Sequence, residues 1–232
     1  MLKRYLLLFA TVFFINQCLG QDTIQVKRKL SNQVTEVFTV LKSNVNIRHG
    51  SFRALYKNKV PVASGTYGND KRVGLWRFYN PAGVVLQTYD YSHSRLFYEA
   101  PEDSTSHLSY LVDKELKAGD RVIKPIKIGS TFYGYLPYLT LFKLPKDLDF
   151  YRNQLTAVVE LLVSPGGRLA DYKVNFYIGD ISTTPFRTIN MNLKLPDPAY
   201  LMFIPARLND EPIASTIKIR CVVNGAGHLD FE

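Results

Sequence analysis

A repeat of 24 residues constrains the fold of this 232-residue chain more than any other feature of its sequence. Each unit has a glycine, an aromatic residue two positions later, a polar turn and an alternating apolar strand, which predicts a β-hairpin. A fixed period of this length is typical of stacked supersecondary units. We therefore expect an antiparallel β-meander with its aromatic side chains along one face. Eight positions recur with the same or a similar residue type: Gly50, Phe52, Arg53, Leu55, Val60, Val62, Ser64 and Tyr67 match Gly74, Trp76, Arg77, Tyr79, Val84, Leu86, Thr88 and Tyr91.

The repeat region resembles the MORN repeats, in the form found in YwqK-type proteins. That form has Gly-x-Tyr, a polar turn, Gly-x-Trp-x-Tyr-Tyr and a turn glycine. Here the pattern is matched by Gly65-Thr66-Tyr67, Gly74-Leu75-Trp76-Arg77-Phe78-Tyr79 and Gly83. The resemblance covers about residues 48 to 91 and implies a meander of MORN-like hairpins, which we place over residues 21–98. The candidate aromatic face of the repeats consists of Phe52, Tyr67, Trp76, Tyr79 and Tyr91.

The first 20 residues have the layout of a secretory signal peptide. Lys3 and Arg4 precede an apolar run from Tyr5 to Ile15, and small and polar residues lead to Gly20. A transmembrane helix needs about 20 apolar residues, and this run has 11. We therefore predict cleavage after Gly20 and export to the periplasm. The alternatives are a protein anchored in the membrane by this segment and lipid attachment at Cys18.

Composition narrows the class of the exported chain. Without residues 1–20, Cys221 is the single cysteine, which excludes an intramolecular disulfide and leaves stability to the core. Loss of Lys3 and Arg4 lowers the 29 basic residues to 27 against 20 acidic ones, a net charge of +7. The basic residues are dispersed, with one tight cluster at 27–29, which argues against nucleic acid. Contact with an anionic lipid or cell-wall polymer remains open.

Residues 99–107 are polar and include Pro101, which predicts a linker to a second domain over residues 108–232. After a short strand at Ser109–Val112, four large apolar residues recur at the spacing of one helical face before Leu144-Pro145. They predict a short helix packed on a sheet. The four are Tyr135, Tyr138, Leu139 and Phe142.

Two strands are predicted at Ala157–Val163 and Leu169–Tyr177, joined by a turn at 164–167. A helix is predicted next, with Thr184 as its N-cap, Pro185 in its first position, and apolar residues at the spacing i, i+3, i+7. A last strand begins at Thr216 and alternates apolar with polar residues. The apolar positions of the helix are Phe186, Ile189 and Leu193.

This order resembles the C-terminal domain of TonB, the periplasmic end of the energy transducers. The resemblance covers about 70 residues and implies an α+β domain of β-β-α-β order. It also implies binding by strand addition, in which an open sheet edge captures an extended peptide through main-chain hydrogen bonds. The partner would be an outer-membrane transporter or another envelope protein. The matched residues are Val159–Val163, Gly167–Val174, Phe203–Ala206, Asp210–Ile213 and Thr216–Val223, and the candidate pairing edge is Thr216, Lys218, Arg220 and Val222.

No catalytic, cofactor-binding or metal-binding residues are predicted. The four histidines lack a second histidine, cysteine or carboxylate at ligand spacing, and no serine lies in a Gly-x-Ser-x-Gly motif. Cys221 alternates with polar residues on the apolar face of its strand, which predicts burial. We predict a non-catalytic envelope protein of α+β fold. The alternatives are a repeat module that contacts peptidoglycan or anionic lipid, and a hydrolase, which a pocket with two or more converging titratable groups would favour.

Overall fold

The structure, a computed structural model, describes residues 22–102, 107–179, 181 and 184–232. The predicted signal peptide, with Cys18, and residues 103–106 of the predicted linker lie outside these ranges. The described residues form a mostly antiparallel β protein with short helices. They include no helix long and apolar enough to cross a membrane.

The N-terminal part is one seven-stranded antiparallel sheet in which each strand pairs with its neighbour in sequence. This confirms the predicted meander. The turn at Asn69-Asp70 has φ values of 49° and 66°, and that at Lys57-Asn58 has 48° and 59°. Two positive φ values suit tight hairpins, because the twist of such turns matches that of the strands. The strands are β1 (Thr23–Lys29), β2 (Val34–Leu41), β3 (Asn44–Tyr56), β4 (Val60–Gly68), β5 (Lys71–Tyr79), β6 (Val85–Asp90) and β7 (Arg95–Glu99).

The C-terminal part contains eleven strands, one α-helix and two 3₁₀ helices in the described chain. The predicted short helix is present as α1, and the four large residues assigned to its face are buried. The elements are β8 (Leu108–Val112), β9 (Val122–Ile123), β10 (Ile126–Lys127), α1 (Leu136–Leu141), a 3₁₀ helix (Lys146–Gln154), β11 (Leu155–Val163), β12 (Leu169–Ile178), β13 (Arg187–Asn190), a 3₁₀ helix (Pro198–Leu201), β14 (Phe203–Ile204), β15 (Ala206–Leu208), β16 (Glu211–Ile213), β17 (Ser215–Val223) and β18 (Leu229–Phe231).

The helix predicted to begin at Thr184 is wrong. Arg187–Asn190 instead forms β13, which pairs with residues 173–176 of β12. Thr188 Oγ1 donates a hydrogen bond of 2.7 Å to Asn175 Oδ1, and Phe186 is 51% exposed rather than packed on a helical face. The open edge of β12 offers main-chain partners to this stretch, and these outweigh a weak helical spacing. The described residues from β11 to β17 therefore include no α-helix such as the expected β-β-α-β order requires.

The predicted pairing edge at Thr216, Lys218, Arg220 and Val222 is also wrong. These residues lie in β17 as expected, but β17 is an interior strand. One side pairs with β11. The other side pairs with β8 over Ser215–Ile219 and with β18 over Cys221–Val223. Both sides of β17 are therefore filled by the chain itself, from a strand about a hundred residues earlier and from the strand that follows.

The segment that leads from β10 into the start of α1 joins the two parts into one packed body. Ile128, Tyr133 and Leu136 are buried in the same cluster as the aromatic residues of the meander. Tyr133 lies 5.9 Å from the ring of Phe78 and 6.3 Å from that of Phe52. The core of the C-terminal sheet is a second cluster, which includes Cys221 at 0% exposure, as predicted.

Gly65 provides a direct test of the packing between repeat units. A Cβ atom at this position would lie 2.2 Å from Cδ2 of Trp76, so the indole ring occupies the space above the glycine. We expect Gly65→Ala to lower the free energy of unfolding by about 1–3 kcal/mol, the usual cost of overpacking. Urea denaturation followed by tryptophan fluorescence measures this. Gly225→Ala is the matched control, because nothing lies within 4 Å of its Cβ position. Equal losses in the two variants would contradict the packing argument.

Candidate functional site

The aromatic face of the repeats is an interior surface. Phe52, Tyr67 and Trp76 are at most 2% exposed, and neighbouring rings lie 5.1–5.6 Å apart. Tyr91 is half-buried against the same cluster. Tyr79 lies on the opposite face, where its hydroxyl is 3.4 Å from Ser64 Oγ. Four of the five residues are therefore brought together as predicted, but as core, so this face does not contact a polymer or a membrane.

An arginine and aspartate network ties the meander to the C-terminal part. Asp197, from the loop before the second 3₁₀ helix, lies 3.2 Å from Arg48 and 3.5 Å from Arg72. The Arg72 side chain is 6% exposed, and its guanidinium lies 5.0 Å from the Trp76 ring. Burial opposes ionisation of Asp197, but Arg72, the Ala199 N–H and Arg48 outweigh it and hold the pKa of Asp197 below its ordinary value. This buried ion-pair network therefore holds the meander against the C-terminal part.

In the described chain β1 and β7 form the two open edges of the meander, and β13 forms one open edge of the C-terminal sheet. The short strands β8, β9, β10, β14, β16 and β18 are also paired on one side only. In β1 the exposed residues include Lys27 and Lys29, and charged edge residues of this kind discourage pairing. β13 has only four residues. β7 differs from both, because Phe97 is 57% exposed and Tyr98 is 46% exposed at its edge. Exposed aromatic residues on an open edge are typical of a docking site.

The end of β7 presents its main chain outward. The Ala100 N–H donates to the Leu86 carbonyl of β6 at 2.7 Å. Successive residues of a strand direct their main-chain groups to opposite sides. The N–H and C=O of Glu99 therefore point away from β6, and within the described ranges no main-chain group pairs with them.

A cleft lies where β7 leaves the meander, and we call it the junction cleft. It has a volume of about 330 Å³ and is formed by both parts of the chain. Its walls combine apolar and aromatic side chains with three titratable ones. The main contributors are Leu86, Glu99, Glu102, His107, Phe132 and Phe231.

The two carboxylates of the cleft, Glu99 and Glu102, differ in how their negative charge is balanced by neighbouring groups. Glu102 pairs with Lys124 at 2.6 Å and accepts a hydrogen bond from the Tyr110 hydroxyl. Glu99 accepts one from Gln87 Nε2 at 2.6 Å and has no ion pair within the described residues. Burial raises the pKa of Glu99 to about 7, and the Gln87 hydrogen bond and Lys124 offset only part of this effect. Glu99 is thus an undercompensated carboxylate at neutral pH.

Gln87 fixes the position of Glu99. Its side chain is fully buried, and its Nε2 also donates to the Lys127 carbonyl at 2.9 Å. Its Oε1 accepts from the Gly129 N–H at 2.7 Å and the Ser130 N–H at 3.2 Å. With both donors and both lone pairs engaged, the amide has a single orientation. The Glu99 carboxylate is therefore held in place by a group that itself cannot rotate.

Sequence reasoning missed this pair, although a signal was present. From the sequence, Glu99 falls in the predicted linker at 99–107. Gln87 occupies, 24 residues later, the repeat position of Ala63, which is fully buried. A polar residue at a core position of a repeat needs a buried partner. The repeat register therefore could have marked Gln87 as part of a site.

Comparison of the chain with protein-family models, with curated proteins and with solved structures finds no significant match. The part of the chain that the structure describes also holds no group of three or more side chains arranged to bind a metal ion. The geometry of the β7 edge and the junction cleft is therefore the basis for a functional proposal.

Removal of the Asp197 charge tests the ion-pair network between the meander and the C-terminal part. Asp197→Asn keeps an acceptor for the Ala199 N–H but leaves the buried Arg72 without its carboxylate. We expect a loss of about 3–5 kcal/mol in the free energy of unfolding, the range for removing one partner of a buried pair. Asp70→Asn is the control, since Asp70 is 51% exposed and contacts the same Arg48. It should cost less than about 1 kcal/mol. Similar losses of unfolding free energy in the two variants would contradict a stabilising role for the buried ion-pair network.

The raised pKa of Glu99 predicts a pH-dependent stability difference. In the folded protein this carboxyl binds its proton more tightly than in the unfolded chain, so its contribution to stability falls as pH rises from about 4.5 to about 7. Glu99→Gln removes this loss. The stability of the variant relative to the native protein should therefore increase over that range, by on the order of 1–3 kcal/mol. Urea melts at several pH values measure it. Glu115→Gln, at an exposed position outside the helices and strands, should show no such trend.

Proposed function

We propose that this protein is a non-catalytic, exported protein of the cell envelope that captures an extended peptide as an added strand on β7. The observation that carries the proposal is the unpaired edge of β7 with its exposed Phe97 and Tyr98. In strand addition, main-chain hydrogen bonds supply affinity and alternate side chains supply specificity. The outward N–H and C=O of Glu99 and the two aromatic side chains supply both elements.

The two resemblances fit this proposal in a modified form. We propose that the meander is MORN-like and that the C-terminal part is a variant of the TonB C-terminal domain. In this variant β8 takes the place beside β17 that a captured peptide would take. The capture site is then the edge of β7. The partner would be a periplasmic segment of an outer-membrane transporter or another envelope protein, and export would depend on residues 1–20.

A second candidate, hydrolysis in the junction cleft, is favoured by one observation. Glu99, Glu102 and His107 converge there, and two carboxyl groups in different environments are a usual source of an acid and a base. We rank it lower because Lys124 and Tyr110 already engage Glu102. A base or nucleophile held in this way is poorly placed to reach a substrate.

A third candidate, attachment to peptidoglycan or anionic lipid, is favoured by the exposed basic side chains of β1 at Lys27, Arg28 and Lys29. Without the aromatic face, such attachment would rest on charge alone. Charge-driven contacts at an exposed surface weaken with salt, whereas strand addition tolerates it.

A photo-crosslinking amino acid at position 97 tests the capture site in envelope fractions. We expect crosslinks to one extended segment of a partner, identified by mass spectrometry, at both low and high salt. A synthetic peptide of that segment should then protect the Glu99 amide from hydrogen exchange. The matched control carries the crosslinker at Ile24, which is 41% exposed on the edge strand β1.

Three outcomes would contradict this proposal. Crosslinks at position 24 but not 97 would move the site away from β7. Sedimentation with sacculi or anionic vesicles that is lost at high salt would favour surface attachment. Turnover of peptidoglycan by the purified protein would favour a hydrolase.

A further inference from the structure

We propose that the junction cleft receives a basic side chain, lysine or arginine, of the peptide captured on β7. This inference rests on the proposed strand addition and specifies the chemistry of its partner. It follows from the position of one residue, Glu99, which is both the last residue of β7 and part of the cleft wall.

The geometry of a β-sheet places the peptide side chain beside Glu99. Residues that pair across neighbouring strands direct their side chains to the same face. The side chain of Glu99 is on the inner face, because its partner across β6 is the buried Gln87. A peptide residue paired with Glu99 would therefore direct its side chain to the inner face too, where the cleft lies. Directly paired Cβ atoms are roughly 5 Å apart, which suits a cross-strand ion pair.

The charges around Glu99 favour a cation as the added group. Glu102 is neutralised by Lys124, and among the described residues the Glu99 carboxylate receives a hydrogen bond from the neutral Gln87 amide but no ion pair. Lys124 is the cation that acts on Glu99, at longer range, while Glu102 opposes it. A carboxylate without a counter-ion in a partly dry cleft gains more from a cation than an exposed one does. A neutral or acidic side chain would leave it uncompensated.

The rest of the cleft suits the stem of a long basic side chain. The rings of Phe132 and Phe231 lie 5.6 Å apart, and His107 stacks on Phe231 at 6.4 Å. Lysine and arginine side chains lay their methylene groups along apolar surface, and their charged ends are attracted to aromatic faces. The cleft thus offers an apolar and aromatic wall for the stem and one carboxylate for the charge.

The test uses three synthetic peptides that differ at one position. Each is a capped heptapeptide of alternating valine and threonine with lysine, norleucine or glutamate at its centre. At pH 8 we expect the lysine peptide to bind at least tenfold more tightly than the norleucine peptide, by isothermal titration calorimetry. At pH 5.5 the ratio should approach one, because Glu99 is then protonated. Glu99→Gln should remove the preference at pH 8, and Glu115→Gln should leave all affinities unchanged.

A second measurement separates failure of the cleft from failure of strand addition. Carboxyl ¹³C NMR of Glu99 is followed as n-butylammonium chloride or n-butanol is added, so that no β-strand is needed. We expect the ammonium ion, and not the alcohol, to lower the midpoint of the Glu99 titration. Equal binding of the lysine and norleucine peptides, with hydrogen-exchange protection on β7, would overturn the basic specificity and keep strand addition. No effect of n-butylammonium on Glu99 would overturn the cleft assignment. No protection of β7 by any peptide would overturn the proposed function.

Discussion

The packing of residues 128–136 against the aromatic face of the meander is the interaction on which the rest of the structure depends. A single sheet with one apolar face must bury that face against another layer. Tyr133 provides the centre of this contact, and its hydroxyl donates to the buried Glu36 at 2.9 Å. Glu36 is in turn paired with Arg28 at 2.6 Å. Because the aromatic face of the repeats is buried in the interior, it cannot bind a partner, whereas the edges of the sheet remain accessible.

Buried polar groups then give this contact a single register. Lys127 is 3% exposed, and its Nζ donates to the carbonyls of Tyr200 and Met202 at 2.7 and 3.0 Å. Burial, with Arg72 nearby, holds the pKa of Lys127 well below its ordinary value. Together with the amide of Gln87, it connects the meander, the segment after β10 and the second 3₁₀ helix. Apolar packing alone tolerates small shifts, whereas a saturated buried network does not. The residues that line the junction cleft are therefore held in fixed positions.

Local patterns predicted much of this fold, and contacts between distant segments limited the rest. The 24-residue repeat, the turn residues and the helical spacing around Tyr138 are local, and the meander, α1 and the hairpin of β11 and β12 follow from them. The helix predicted after Thr184 failed because β12 provides main-chain partners that no local pattern reveals. The edge role of β17 failed for the same reason, since β8 returns from far along the chain. The alternation of side chains along β5 puts Tyr79 on the face opposite Trp76. Grouping the aromatic residues by repeat position ignored this alternation and therefore placed Tyr79 on the wrong face.

The distribution of edge residues connects these structural findings to binding. The chain covers both sides of β17 with its own strands, and charged side chains protect the edge of β1, which is how soluble proteins prevent unwanted pairing. β7 has no strand on its outer side in the described chain, and Phe97 and Tyr98 are exposed there, with the Arg95 guanidinium 5.0 Å from the Phe97 ring. Leaving an apolar edge open invites aggregation unless a partner uses it. An added strand there would continue a sheet whose inner face is already layered, so its inward side chains would meet the junction cleft. The layer that buries the aromatic face of the repeats thus also forms the walls of the junction cleft beside β7, and it determines which side chains a captured peptide would meet there.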